Sequence, residues 1–302
     1  MDAGDAVNEA GRGRRLLLVH AHPDDETITT GGTIARAVRD GVDVTVLTCS
    51  LGEEGEVIGD TWAELVAGRS DQLGGYRIHE LTTALRALGC RPPRFLGGAG
   101  RWRDSGMVGT PAADHPRAFV RADVDEAVRA MVEVIRDVRP QVVVAYDPEG
   151  GYGHPDHMQV HRLAGLAVEA CEDAAVYPDA GAPWAVSKMY WTVTGRTQLS
   201  DGLTELGIFP TGWRMPAAGE LPSVPDDDVT TSVDVRSVIE HKRTALRAHE
   251  TQVTVSESGL AYALSNDIAQ PVLPDEQFVL VRGDLGQVDA SGRENDLFAG
   301  IM

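Results

Sequence analysis

Arg15-Leu16-Leu17-Leu18-Val19-His20-Ala21-His22-Pro23-Asp24-Asp25-Glu26 passes from an apolar run into a cluster of imidazoles and carboxylates. A continuous apolar run, without alternation, predicts a strand buried on both faces, as in a parallel sheet covered by helices. The stretch Thr33-Ile34-Ala35-Arg36-Ala37-Val38 then carries a helical pattern, which places the cluster at a strand-to-helix turn. Open α/β sheets bind ligands at such strand ends.

A second stretch has the same design. Gln141-Val142-Val143-Val144-Ala145-Tyr146 reads as a buried strand, followed by Gly150-Gly151-Tyr152-Gly153-His154-Pro155-Asp156-His157 and a helix over 156–171. The two turns are about 130 residues apart, but parallel strands bring their carboxyl ends to one rim. Further elements are read as a helix at 33–39, a strand at 42–48, a helix within 62–88 stopping at Gly89, and a helix at 124–138 ending before Pro140. The alternation predicts an α/β fold with a Rossmann-like, mostly parallel sheet flanked by helices. Strands at 189–194 and 278–282, with a helix at 235–248 between them, are assigned to a smaller C-terminal lobe over the pocket. The expected division is a disordered segment 1–14, a metal-binding core 15–175, and a portion 176–302 that completes the sheet and forms the lobe. Gly97-Gly98-Ala99-Gly100 leads into Arg-Trp-Arg-Asp rather than a helix, so it reads as a loop and not a dinucleotide fingerprint.

Each turn, taken alone, has an ordinary explanation: His-x-His and Asp-Asp at turns are commonly solvated or cap helices. Their joint occurrence, each after an apolar strand and each with a proline inside, points to one metal site. Residues three apart share a face as the chain enters a helical turn, which favours His22 and Asp25 as ligands. His157 completes a His/Asp/His set with positions left open, the arrangement of a catalytic zinc site. Asp24 then lies beside the ion without binding it, as a general base must. Tyr152 and His154 are placed to donate hydrogen bonds to an oxyanion or leaving amine, and Asp156 to orient an imidazole.

His22-Pro23-Asp24-Asp25-Glu26, with His154-Pro155-Asp156-His157, resembles the zinc-dependent N-acetylglucosaminyl-phosphatidylinositol deacetylase family, also called LmbE-like. Leu51 to Asp60, Asp71 to Arg77 and Gly97 to Met107 resemble its mycothiol-biosynthesis branch, which deacetylates N-acetylglucosaminyl-inositol. The resemblance implies one Zn2+ per chain, with Fe2+ as the alternative, on His22, Asp25 and His157. It implies Asp24 as base and Tyr152 and His154 as transition-state partners. It also implies that Arg77 and Asp104 hold sugar or inositol hydroxyls and that Glu56 and Met107 line the pocket. Sister enzymes that cleave mycothiol S-conjugates carry a lysine after the first motif. Here Glu26-Thr27-Ile28-Thr29 is expected to put small hydroxyls at the pocket edge and favour acetyl.

A net charge of −19 argues against non-specific binding to nucleic acid or anionic membrane. Cys49, Cys90 and Cys171 are odd in number and widely spaced, which suggests a reduced, cytoplasmic setting rather than a disulfide framework. Only Lys188 and Lys242 are lysines, so the basic residues are almost all arginine, a bias compatible with an actinobacterial source. The expected partner is a small molecule; oligomeric state is not legible. The competing readings are the conjugate amidase and a non-catalytic, metal-dependent sugar-binding module. The latter leaves Asp24, Tyr152 and His154 without a role. A two-metal phosphoesterase would need more ligands than are visible.

Overall fold

The computed structural model describes residues 13–301. The apolar run is β1 (Arg15–His20), followed in chain order by β2 (Asp43–Thr48), β3 (Arg94–Phe95), β4 (Val142–Tyr146), β5 (Lys188–Val193), β6 (Thr231–Asp234), β7 (Thr254–Val255), β8 (Ala261–Ala263), β9 (Gln270–Pro271) and β10 (Asp275–Arg282). The longer helices are α1 (Asp25–Arg39), α2 (Leu73–Ala87), α3 (Val124–Val138), α4 (Pro155–Ala170), α5 (Arg196–Thr204) and α6 (Ile239–Ala248).

Seven strands form one sheet in the order β3-β2-β1-β4-β5-β10-β6. Pairing is parallel from β3 to β5, and β10 runs antiparallel to both β5 and β6. The strand order reverses between β1 and β4, which opens a crevice at their carboxyl ends. Both faces of β1 and β4 are buried. Leu17, Val19, Val143 and Ala145 pack against Met131 and Ile135 of α3 and Leu163 of α4. Leu16, Leu18, Val142 and Val144 pack on the other face against Ile34 of α1, Leu81 and Leu85 of α2, and Ala245 of α6. The mixed α/β fold with a mostly parallel sheet is as the sequence predicts.

Two expectations are corrected. α1 begins at Asp25, not at 33, although its first half holds Thr27, Thr30, Gly31 and Gly32, all weak helix formers. Tertiary contacts override that preference. The buried Glu276 carboxylate accepts the N–H groups of Gly32 (2.8 Å) and Thr33 (2.7 Å), and Lys242 Nζ donates to Ile28 O (2.9 Å) and to Glu276 (2.7 Å). Gly32 is required by close approach: a Cβ there would stand 2.5 Å from Val235 Cβ.

The strands assigned to a smaller lobe belong to the main sheet instead. Tyr190 of β5 and Phe278 of β10 are fully buried in the same core as β1 and β4. The separate sheet among the described residues is the small antiparallel β7-β8-β9. The expected disorder at 1–14 falls outside the described residues except at its end. There, Arg14 pairs with Asp296 (3.2 Å) and its carbonyl accepts the Asp43 N–H (2.9 Å). No helix among the described residues is long and apolar enough to cross a membrane.

Both lysines of the chain lie in buried ion pairs, Lys242 with Glu276 and Lys188 with Glu294 (2.6 Å). Glu276→Leu should therefore lower the unfolding free energy by about 3–5 kcal/mol, since it strands an ammonium and two helix N–H groups. Adding Lys242→Met should recover part of that loss. Urea unfolding followed by far-UV circular dichroism measures both; equal losses in the single and double variants would refute the pairing.

Candidate metal centre

The turn after β1 is pinned to the sheet by Cys49 and Ser50, whose N–H groups donate to the carbonyls of His20 and Ala21 (both 2.9 Å). Pro23 and Asp24 then bend the chain into α1. Asp24 has φ 116° and ψ −33°, a conformation that costs a non-glycine residue on the order of 1–3 kcal/mol. It stands at the N-cap position, yet its side chain caps no helix N–H. Its carboxylate faces Arg77 Nη2 instead (3.0 Å), and its N–H donates to Glu26 Oε2 (3.0 Å).

On the β4 side, Gly150 adopts φ +62°, and a Cβ there would stand 2.6 Å from His157 Cβ. Only glycine lets this turn lie against the histidine. The Gly150 carbonyl accepts from His157 Nδ1 (3.1 Å), which commits the ring proton to that nitrogen and leaves the Nε2 lone pair free. The ring stacks on Tyr146 at 4.2 Å.

Three donor atoms from the two turns meet. His22 Nδ1 lies 3.4 Å from Asp25 Oδ2 and 3.4 Å from His157 Nε2, and His157 Nε2 lies 3.3 Å from Asp25 Oδ2. A triangle of this size suits three ligands about 2.0–2.1 Å from one tetrahedral centre. Asp25 reaches its place through the turn rather than a helix face, because its Oδ2 also accepts the His22 N–H (2.8 Å).

Two other groupings, His22/Asp104/Asp156 and His22/His154/His157, also bring ligand atoms close together. The first is a cradle for a proton. With His22 Nδ1 facing the triangle, Nε2 carries hydrogen toward Asp156 Oδ2 (3.2 Å) and Asp104 Oδ1 (3.4 Å). In the second, His154 Nδ1 is already occupied by the Asp156 N–H (3.1 Å), so its proton sits on Nε2.

Electrostatics favours a cation here. Burial alone would lower the His22 imidazole, but the carboxylates of Asp104, Asp156 and Asp25 hold it well above its ordinary range. Burial opposes ionisation of Asp25, and His157 and His22 hold its carboxyl well below the usual value. Among the described residues, Asp156 Oδ1 is buried without a partner. Surplus buried carboxylate and a mixed nitrogen/oxygen donor set fit a divalent ion. Burial also pushes the Asp24 carboxyl up to about 6, against Arg77 and helped by Asp25. It pushes His154, beside His22 and His157, down to about 3, so that imidazole is neutral near pH 7.

The remaining expected site residues fall differently. Tyr152 is exposed at the rim, its ring centre 5.0 Å from that of His157. Arg77 is buried behind Asp24 and donates to Gly52 O (2.8 Å) and Pro23 O, with Nε unpartnered among the described residues. Asp104 is buried against His22 and accepts the Gly106 N–H (2.8 Å). Glu56 and Met107 are exposed. Thr27 is not at the pocket edge. It is fully buried, with its hydroxyl on Glu26 and His249, because α1 turns that position inward. The sequence reading missed the supporting Tyr146 and His249; a strand-end tyrosine and a lone histidine after a helix carry no signal of their own.

The family profile described as GlcNAc-PI de-N-acetylase (PIG-L) matches residues 17–168, which span both turns. The chain belongs to this family. A 1D-myo-inositol 2-acetamido-2-deoxy-alpha-D-glucopyranoside deacetylase of Rhodococcus opacus is 68% identical over 288 residues, covering 95% of this chain and 98% of that protein. One of the same name from Mycolicibacterium smegmatis is 54% identical, with 95% and 97% covered. Among solved structures, the N,N'-diacetylchitobiose deacetylase of Pyrococcus horikoshii superposes with TM-score 0.54 at 19% identity, covering 82% of this chain and 79% of that one. GalB, a 4-carboxy-2-hydroxymuconate hydratase of Pseudomonas putida, gives 0.55 at 19%, covering 92% and 100%. A PIG-L-like fold therefore does not fix the reaction.

Gly150→Ala should displace the His157 imidazole. We expect metal affinity to fall at least about tenfold, as when an outer-shell partner of a ligand is lost. Competition with a chromophoric chelator measures it; wild-type affinity would refute the dependence on this close approach.

Proposed function

We propose that this chain removes the N-acetyl group from 1D-myo-inositol 2-acetamido-2-deoxy-α-D-glucopyranoside, releasing acetate and the free amine, as a step toward mycothiol. The observation that carries the reading is the division of labour between neighbouring aspartates: Asp25 in the donor triangle, Asp24 beside it on Arg77. The names of relatives at 54–68% identity supply the substrate. His22, Asp25 and His157 would hold the ion, and their chemistry suits zinc, with iron(II) as the alternative. Such an ion supplies Lewis-acid polarisation of the amide carbonyl and acidifies water toward neutrality.

The protein residues do the rest. Asp24 takes a proton from the attacking water as its oxygen bonds to the acetyl carbon. His154, neutral with its hydrogen on Nε2, donates to the oxygen that becomes negative, and the Tyr152 hydroxyl assists from the rim. The proton held by Asp24 passes to the sugar nitrogen as the carbon–nitrogen bond breaks. Asp156 and Asp104 keep the His22 ring oriented. Arg77 and Asp104 would meet the substrate hydroxyls only by exchanging part of their present bonds, and Glu56 and Met107 would contact it from the exposed rim. A cytoplasmic location goes with this reading, since all three cysteines are free.

Asp24→Asn should retain the metal and lose roughly 10²-fold or more in kcat. Tyr152→Phe should lower kcat more than it raises KM. Metal analysis and amine release on the same preparations check both, and metal loss in step with activity would make Asp24 a ligand. The wild type should show a higher kcat/KM for the N-acetylated inositol glycoside than for a mycothiol conjugate. The reverse preference would replace deacetylation by conjugate cleavage.

A further inference from the structure

Asp24 works as a base only if its carboxylate keeps one direction, yet it sits on the strained residue of the turn. In a capping box a glutamate three residues after the N-cap reaches back to the N-cap N–H. Glu26, two residues after Asp24, makes the corresponding contact from the second helical position, its Oε2 accepting the Asp24 N–H (3.0 Å). The reciprocal half is missing, because the Asp24 carboxylate is turned to Arg77. Glu26 holds the N-cap N–H, and the N–H groups of Thr27 and Ile28 donate to the Asp24 carbonyl (3.0 and 2.9 Å), which leaves the aspartate side chain without a capping role.

Glu26 is itself held. It is fully buried, its Oε1 faces His249 Nε2 at 3.0 Å, and the Thr27 hydroxyl donates to it. His249 is also fully buried; among the described residues its Nδ1 has no partner, and Glu26 is the one carboxylate within ion-pair distance of it. The segment carrying His249 cannot drift. Thr251 binds Glu80 of α2 through its N–H (2.8 Å) and hydroxyl (2.9 Å), and Lys242 ties α6 to Glu276.

We propose that Glu26, fixed by His249, is a positioning residue for the reaction, setting the Asp24 backbone and thereby the direction of its carboxylate. This rests on the reading of Asp24 as the base. The test compares Glu26→Asp, which keeps the charge but is one methylene too short to bridge His249 and the Asp24 N–H, with Glu26→Gln, which keeps the length and an acceptor oxygen. Each is made in the wild type and in Asp24→Asn.

In the wild-type background, Glu26→Asp should lower kcat about tenfold or more with KM within about twofold and metal content unchanged, and Glu26→Gln should recover most of that loss. In the Asp24→Asn background, Glu26→Asp should change the residual kcat by less than about twofold, since residues acting as one unit are not additive. His249→Gln should repeat the pattern of Glu26→Asp in weaker form. Equal losses in both backgrounds, or losses that follow the melting temperature, would make Glu26 a purely structural residue and overturn the proposal. An unchanged kcat for Glu26→Asp would overturn it as well. If Asp24→Asn alone kept full kcat, the base reading would fail first, and that single variant separates the two failures.

Discussion

The parallel pairing of β1 with β4 is the constraint on which the site depends. Leu16, Leu17 and Leu18 stand opposite Val142, Val143 and Val144. This register sets the two turns at one height above the sheet. A slip of one residue would carry one turn about 3.3 Å past the other, as large as the edges of the donor triangle, and would exchange the two buried faces of the slipped strand. The register is locked because both faces are fully apolar and packed by different helices. The precision of the metal site is thus a property of the core, obtained before any charged residue is placed.

Around that rigid base, the polar residues divide by which atom they hold. Gly150 fixes the tautomer of His157, Asp156 and Asp104 take the far nitrogen of His22, and the Asp156 N–H fixes that of His154. Each imidazole has one nitrogen committed to the protein and one turned inward. The polarity differs: His22 and His157 present lone pairs, and His154 presents a hydrogen. One residue type thereby presents both lone pairs and a hydrogen at the site, and the partner of the other ring nitrogen decides which.

Most of the fold was legible because its signals are local. The uninterrupted apolar strands at 15–20 and 142–146 and the helix at 124–138, with Asp123 capping it (3.0 Å to the Glu126 N–H) and Arg139 ending it in a left-handed conformation, all follow from neighbouring residues. The failures are non-local. α1 starts early because of Glu276 and Lys242, more than two hundred residues away. β5 and β10 join the main sheet because Tyr190 and Phe278 face a core they share with distant strands. At the site, the triangle was read from the two motifs, whereas the bonds of Arg77 to Asp24 and of His249 to Glu26 join residues that share no motif. Motif spacing points to the residues that meet in the donor triangle. It does not report which residues hold them.

The burial of both lysines has a practical side. With Lys188 and Lys242 each 3% exposed, the described surface offers no side-chain amine, its positive charge being carried by guanidinium groups. The proposed reaction releases a primary amine. Reagents that label primary amines under native conditions would thus report the product against a low protein background, so turnover can be followed by adding the label directly to the reaction. Conversely, coupling to amine-reactive surfaces or lysine-directed cross-linking would leave the folded domain largely untouched, and carboxylate-directed chemistry is the suitable route for immobilising it.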